Sequence, residues 1–131
     1  MSFNLALEIA ILNHIFDDVQ ITFPSLYVGL WNGDPGEIGT GGTEMSGGSY
    51  NRVDSYGLWG AASGTPTTIS NDTVITFPEA TTDWGTVTHF AVCDLLVGGF
   101  LWVYGSLWAP RDIVTGCVPR FDPGQLEVSL D

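Results

Sequence analysis

The sequence predicts a mainly β protein, an antiparallel β-sandwich or barrel-like domain with one N-terminal α-helix, and three observations carry that prediction. Apolar residues recur at spacings of three and four only over residues 3 to 16. Downstream the period shortens to two, in runs rich in Val, Ile, Thr, Tyr and Phe. Between those runs stand clusters of Gly, Pro, Asn and Asp, the residues of tight turns. At 131 residues the chain has the length of one domain, read as a helical arm over 1–18 and a β-rich body over 19–131.

In the helix, Ser2 is placed to cap the first turn and Glu8 lies where the positive end of the dipole favours an anion. The Asp17-Asp18 pair ends it. Leu5, Ile9, Leu12 and Phe16 form one apolar stripe, while Phe3, Leu7, Ile11 and Ile15 form a second on another side. One sheet can bury one stripe. The other needs a further surface, and a second copy of the chain is the simplest supply, so Phe3, Leu7, Ile11 and Ile15 are expected at an interface between copies.

Strands are expected near 25–31, 50–59, 73–77, 86–93, 99–107, 111–118 and 125–130. Two long connections, 32–48 and 60–72, separate them. The first carries seven glycines in 17 positions, which predicts a mobile arm ordered against a partner. Ile38 and Met45 are its large apolar residues and its expected anchors. Asp34, Glu37 and Glu44 are its acidic groups, set to meet a basic partner surface.

An apolar share of 44% against 14% charged residues excludes the disordered class. The charge is lopsided: no lysine, three arginines and 15 acidic residues give a net −12. Such a surface repels phosphates, so neither nucleic acid nor an anionic membrane is an expected partner. The opening segment lacks the basic leader and cleavage site of a secretory signal and is shorter than a membrane span, so a cytoplasmically made, soluble product is expected. Cys93 and Cys117 fit no metal spacing or disulfide framework and read as free thiols.

No catalytic constellation emerges. His14 sits on the apolar helix and His89 in mid-strand, and neither stands in a recognisable nucleophile motif. His89 and Cys93, four residues apart in a strand, are separated by ~13 Å, too far to share one zinc ion. Asp34, Glu37 and Glu44 share a loop but match no calcium spacing. No enzyme, metal or cofactor is expected. The five tryptophans are the stronger clue, because indoles serve cores, protein contacts and sugar platforms alike. Trp102 and Tyr104 read as packing residues; Trp31 and Trp84, beside turns, leave a contact role open.

The string from Tyr27 to Val53, YVGLWNGDPGEIGTGGTEMSGGSYNRV, and the block TVITFPEATTDWGTVTHFAVCD at 73–94 carry a resemblance. Together with Asn13-His14-Ile15-Phe16 at the helix end, they resemble a family of small tailed-bacteriophage virion proteins, some tail-fibre-like and some capsid decoration, or cement, proteins. The resemblance implies a structural virion component. Its expected form is a homotrimer on the outer capsid surface that binds the major capsid protein and stabilises the shell. A tail or tail-fibre component is the alternative within the virion, and a carbohydrate-binding module using exposed tryptophans is the alternative outside it. The segment 108–124 departs from the resemblance.

Overall fold

Two residues of strand precede the helix, and they decide where it starts. β1 (Ser2–Phe3) pairs antiparallel with a later strand, placing Ser2 opposite Tyr104 and Phe3 opposite Val103. Ser2 is therefore not the cap. Asn4 takes that place: its Oδ1 accepts the Ala6 amide at 2.8 Å, and α1 runs Leu5–Phe16. At the far end the Asp17 amide donates to the Asn13 carbonyl and Asp18 takes a positive φ of 53°, so the helix stops at the predicted pair. The computed structural model describes residues 2–21 and 25–130. Met1, residues 22–24 and Asp131, which belong to the predicted arm and body, lie outside the described residues.

The remaining elements are β2 (Tyr27–Asn32), β3 (Thr43–Glu44), β4 (Val53–Asp54), β5 (Thr67–Ser70), β6 (Ile75–Thr76), β7 (Gly85–Cys93), β8 (Leu101–Ile113), β9 (Arg120–Phe121) and β10 (Glu127–Leu130). The main sheet has the order β1-β8-β7-β2-β3, with β4 also on β2. β5 pairs with β10 and β6 with β9 in two short ladders, and every pairing is antiparallel. The architecture is mainly β with one N-terminal helix, as predicted. The short β1, β3 and β9 lie outside every expected strand, the strand expected at 73–77 is only β6, and three further segments differ from expectation. The strand expected at 50–59 shrinks to β4, because Ser55 turns inward and its hydroxyl and amide both donate to the Leu26 carbonyl. The connection 60–72 holds β5, whose β-branched Thr67, Thr68 and Ile69 pair with β10. The strands expected at 99–107 and 111–118 are one continuous β8 up to Ile113.

The pairing of β7 with β8 is interrupted twice, between Val87 and His89 and between Val92 and Cys93. Each interruption changes which side of the sheet the next residue faces, since side chains alternate strictly along an unbroken strand. That is how odd-numbered Val87 and even-numbered Phe90 and Val92 enter one core. They share it with Val28, Leu30 and Val103 from the sheet, Ile75 and Phe77 around β6, and Leu126 before β10. Trp31, Ala91, Cys93, Leu101 and Tyr104 form a smaller cluster of their own.

A buried asparagine ties the small ladders together. Asn71, 1% exposed, donates its amide to the carbonyls of Thr73, Phe121 and Asp122 at 3.0, 3.3 and 3.0 Å. Its Oδ1 accepts the Leu126 amide at 3.0 Å. A side chain with two donor hydrogens and one carbonyl is what a site of several carbonyls and one amide needs, and no apolar residue could satisfy it.

Candidate assembly surface

β1 fixes which side of the helix meets the sheet. Leu7 is buried in the main core, and Phe3 and Ile11 pack against that core half-buried. Three of the four residues expected between copies therefore face the chain's own core, and they are not available as drawn. What remains outward is the other stripe together with the fourth residue: Leu5, Ile9, Leu12, Ile15 and Phe16, from 47% exposed at Leu5 to 81% at Phe16. A helix of this length does not hold such a face in water by propensity alone.

A second apolar projection stands beside it. The turn joining β7 to β8 exposes Leu95, Leu96, Val97 and Phe100. It is shaped from within: the Asp94 amide donates to the Phe100 carbonyl at 3.1 Å, and Asp94 Oδ1 accepts the Phe100 amide at 2.7 Å. Gly99 has φ +74°, and a Cβ there would strike the Asp94 carboxylate and Leu95, so only glycine closes this turn.

Arg52 clamps the turn from below. Its Nη1 donates to the carbonyls of Leu95 and Gly98 at 2.7 and 2.8 Å. Its Nε and Nη2 hold both oxygens of Glu44 at 2.7 and 2.9 Å. The guanidinium also lies 5.6 Å from the Trp31 ring centroid, within cation–π range. The Tyr50 hydroxyl completes the group, donating to Glu44 Oε1 and accepting the Leu30 amide, both at 3.0 Å. Burial opposes the charge on Arg52, but the hydrogen bonds to Glu44 and the attraction of the acidic groups around it together outweigh burial and hold the guanidinium more firmly protonated than usual. Burial, with Glu44 beside it, likewise pushes the Tyr50 phenol up against the opposing pull of the Leu30 amide.

Between helix and turn runs a groove of about 520 Å³, walled by Leu5, Ile9, Ile38 and Phe100 over Trp31 and Leu101. Helix face, groove and turn make one apolar surface on a chain of net charge −12. Compared with known families, residues 2–129 match the family described as Podophage GP4 fiber I protein gp80. The chain belongs to this family. It is thus a phage virion protein of the tail-fibre-like kind, and the resemblance seen in the sequence holds over nearly its whole length. No curated protein matches the sequence.

On this family member the 32–48 loop is fastened rather than free. Asp34 Oδ1 accepts the Gly36 amide at 2.8 Å in a local turn, and Gly41 donates to the Pro35 carbonyl. The Glu37 carbonyl accepts the Leu5 amide at 3.1 Å, binding the loop to the start of the helix. Met45 is 7% exposed and belongs to the main core, and Glu44 is spent on Arg52, so neither can meet a partner as expected. Asp34 and Glu37 are exposed, as is Ile38 at 77%. Only Ile38 joins the apolar surface.

Trp31 and Trp84 are both buried. Trp84 donates Nε1 to the Gly48 carbonyl at 2.9 Å and meets Tyr50 edge-on at 5.2 Å. The apolar turn 95–97 and the exposed Trp108 escaped the sequence reading. The signal was there: Leu-Leu-Val between Asp94 and Gly98-Gly99 puts apolar residues where turn chemistry demands polar ones. Among the described residues no cluster of His, Cys, Asp and Glu is arranged to hold a metal ion, and no helix is long and apolar enough to cross a membrane.

Proposed function

We propose that the chain is a non-enzymatic building block of a phage fibre, and that copies associate, as a trimer, through the outer face of α1 and the 94–100 turn. The observation that carries this is the continuous apolar surface of Leu5, Ile9, Leu12, Phe16, Ile38 and Phe100 on an otherwise strongly acidic protein. A contiguous apolar patch rimmed by polar residues marks a contact site. The family's description as a fiber I protein supports the fibre as the place of assembly. Capsid decoration is the second reading, with the major capsid protein as partner and the outer shell as location. An acidic face that ignores packaged nucleic acid suits it equally. No cofactor enters either reading.

The test is the pair Leu12→Asp and Phe16→Asp. Both side chains are exposed, so the fold should survive while charge enters the contact. Light scattering should report a monomer with unchanged circular dichroism; a variant that keeps the parent mass overturns the helix-face interface. Immunogold labelling of intact particles separates tail from shell.

A further inference from the structure

We infer that the groove beneath Trp108 is a binding site for an acidic saccharide, one bearing a carboxylate on a sugar ring. Between the pairs Val87–Arg111 and His89–Ser106, β8 carries four residues, 107–110, against the single Thr88 of β7. This large bulge contains Pro110, which has no amide to give to the ladder. It throws Trp108 fully into solvent, while Leu107 stays packed on the core. The chain's other tryptophans are buried or half-buried, so this one is held out by the backbone.

Beside it lies a groove of about 800 Å³, within the size range of small-ligand sites. Its floor includes Val87, Phe90 and Phe121, and its rim carries Arg111 and Arg120 together with Asp112, which accepts the Thr86 hydroxyl, and Asp122. Arg52 is locked inside the fold, so the two solvent-facing arginines of a chain without lysine and with net charge −12 border one groove. Arg120 leans on Asp122 at 3.2 Å, an exposed pair worth little, and Arg111 makes no ion pair among the described residues. A planar indole suits the C–H face of a pyranose ring, and a guanidinium grips a carboxylate with two parallel hydrogen bonds. A neutral sugar would use the indole and leave the arginines without purpose. A nucleic acid would bring many phosphates against an acidic body.

The full chain, in its native oligomeric state, is titrated by calorimetry and saturation-transfer NMR with uronate and sialate oligosaccharides, and with maltohexaose as the neutral control. At least one acidic member should bind, more weakly as salt rises. Trp108→Ala and Arg111→Gln should each lower that affinity tenfold or more, with melting temperature and oligomer mass unchanged. Any of four results overturns the inference: no acidic member binds at millimolar concentration, maltohexaose binds as well as the acidic sugars, Trp108→Ala leaves binding intact, or Trp108→Ala changes the oligomer mass. The last would make Trp108 a contact between copies. The mass measurement also keeps this outcome separate from the helix-face test.

Discussion

Arg52 is the residue whose replacement discriminates best between a clamp and a decoration. Its side chain is 7% exposed and that of Glu44 is 28% exposed, so the pair is mostly but not wholly desolvated. Removing one partner of a buried ion pair costs about 3–5 kcal/mol, chiefly through the charge left behind. In Arg52→Ala the abandoned Glu44 keeps the Tyr50 hydroxyl and some water, which places the expected cost near the lower end, about 3 kcal/mol. For a domain of this size that is a fall of roughly 10 °C in melting temperature. Arg52→Lys keeps the charge but cannot hold two carboxylate oxygens and two carbonyls from a planar fork, so it should recover about half the loss. Stability is read from urea unfolding at one fixed protomer concentration, since association also stabilises. Hydrogen exchange should show the Asp94 and Phe100 amides, which close the turn, opening first. If Arg52→Lys matches the parent within about 0.5 kcal/mol and those amides stay protected, the four hydrogen bonds do not hold the turn and the reasoning fails.

Two further outcomes are expected. Asn71→Asp replaces a donor that serves three carbonyls by a second acceptor in a site 1% exposed, and should cost about 4 kcal/mol or more, against about 3 kcal/mol for Asn71→Ala; equal melting temperatures for parent and Asn71→Asp would refute the assigned hydrogen bonds. Burial pushes the Cys93 thiol up to about 11, so the folded state holds it neutral while an unfolded thiol ionises near 8.5. That contribution to stability is complete below pH ~8.5 and is lost at about 1.4 kcal/mol per pH unit as the pH climbs toward 11, with Tyr50 adding to the loss above about pH 10. Cys93→Ala should flatten the slope between pH 8.5 and 10, and thiol reagent at pH 8 should label half-buried Cys117 before buried Cys93.

Periodicity made the helix, the antiparallel β body and the positions of β2, β7 and β10, to within two residues at each end, readable from sequence, because each is a local pattern. The choice between the two helix stripes was not local. Leu5 and Leu7 are chemically alike, and what turns Leu7 inward is the pairing of Phe3 with Val103, a hundred residues away. The same holds for Met45 and Glu44. In sequence they sit in a Gly-rich loop and look like partner contacts; in space the short β3 rung on β2 delivers one to the core and the other to Arg52. Asn71 reads as a turn residue, and nothing nearby announces the three carbonyls that it serves. Long-range contacts between polar groups leave no periodic trace, and that is why the polar network was missed while the apolar skeleton was not.

The apolar surface and the charge of −12 act against each other, and their balance gives the assembly a distinctive dependence on salt. A chain of this length has a radius of gyration of about 14 Å, so neighbouring copies sit with centres roughly 30 Å apart. Two bodies of that charge at that distance repel by about 20 kcal/mol in water without salt, from Coulomb's law at a dielectric constant of 80. A Debye length of about 30 Å at 0.01 M leaves roughly a third of this, whereas about 8 Å at 0.15 M leaves well under 1 kcal/mol. Burial of apolar surface is not weakened by the same change. Association between copies should therefore tighten as sodium chloride rises from 0.01 to 0.15 M and level off above it, which sedimentation velocity can follow. An interface built on complementary charges weakens over that range. If the oligomer dissociates as salt is added, the helix face and the 94–100 turn are not what hold the copies together, and ion pairs from the few arginines must be sought in their place.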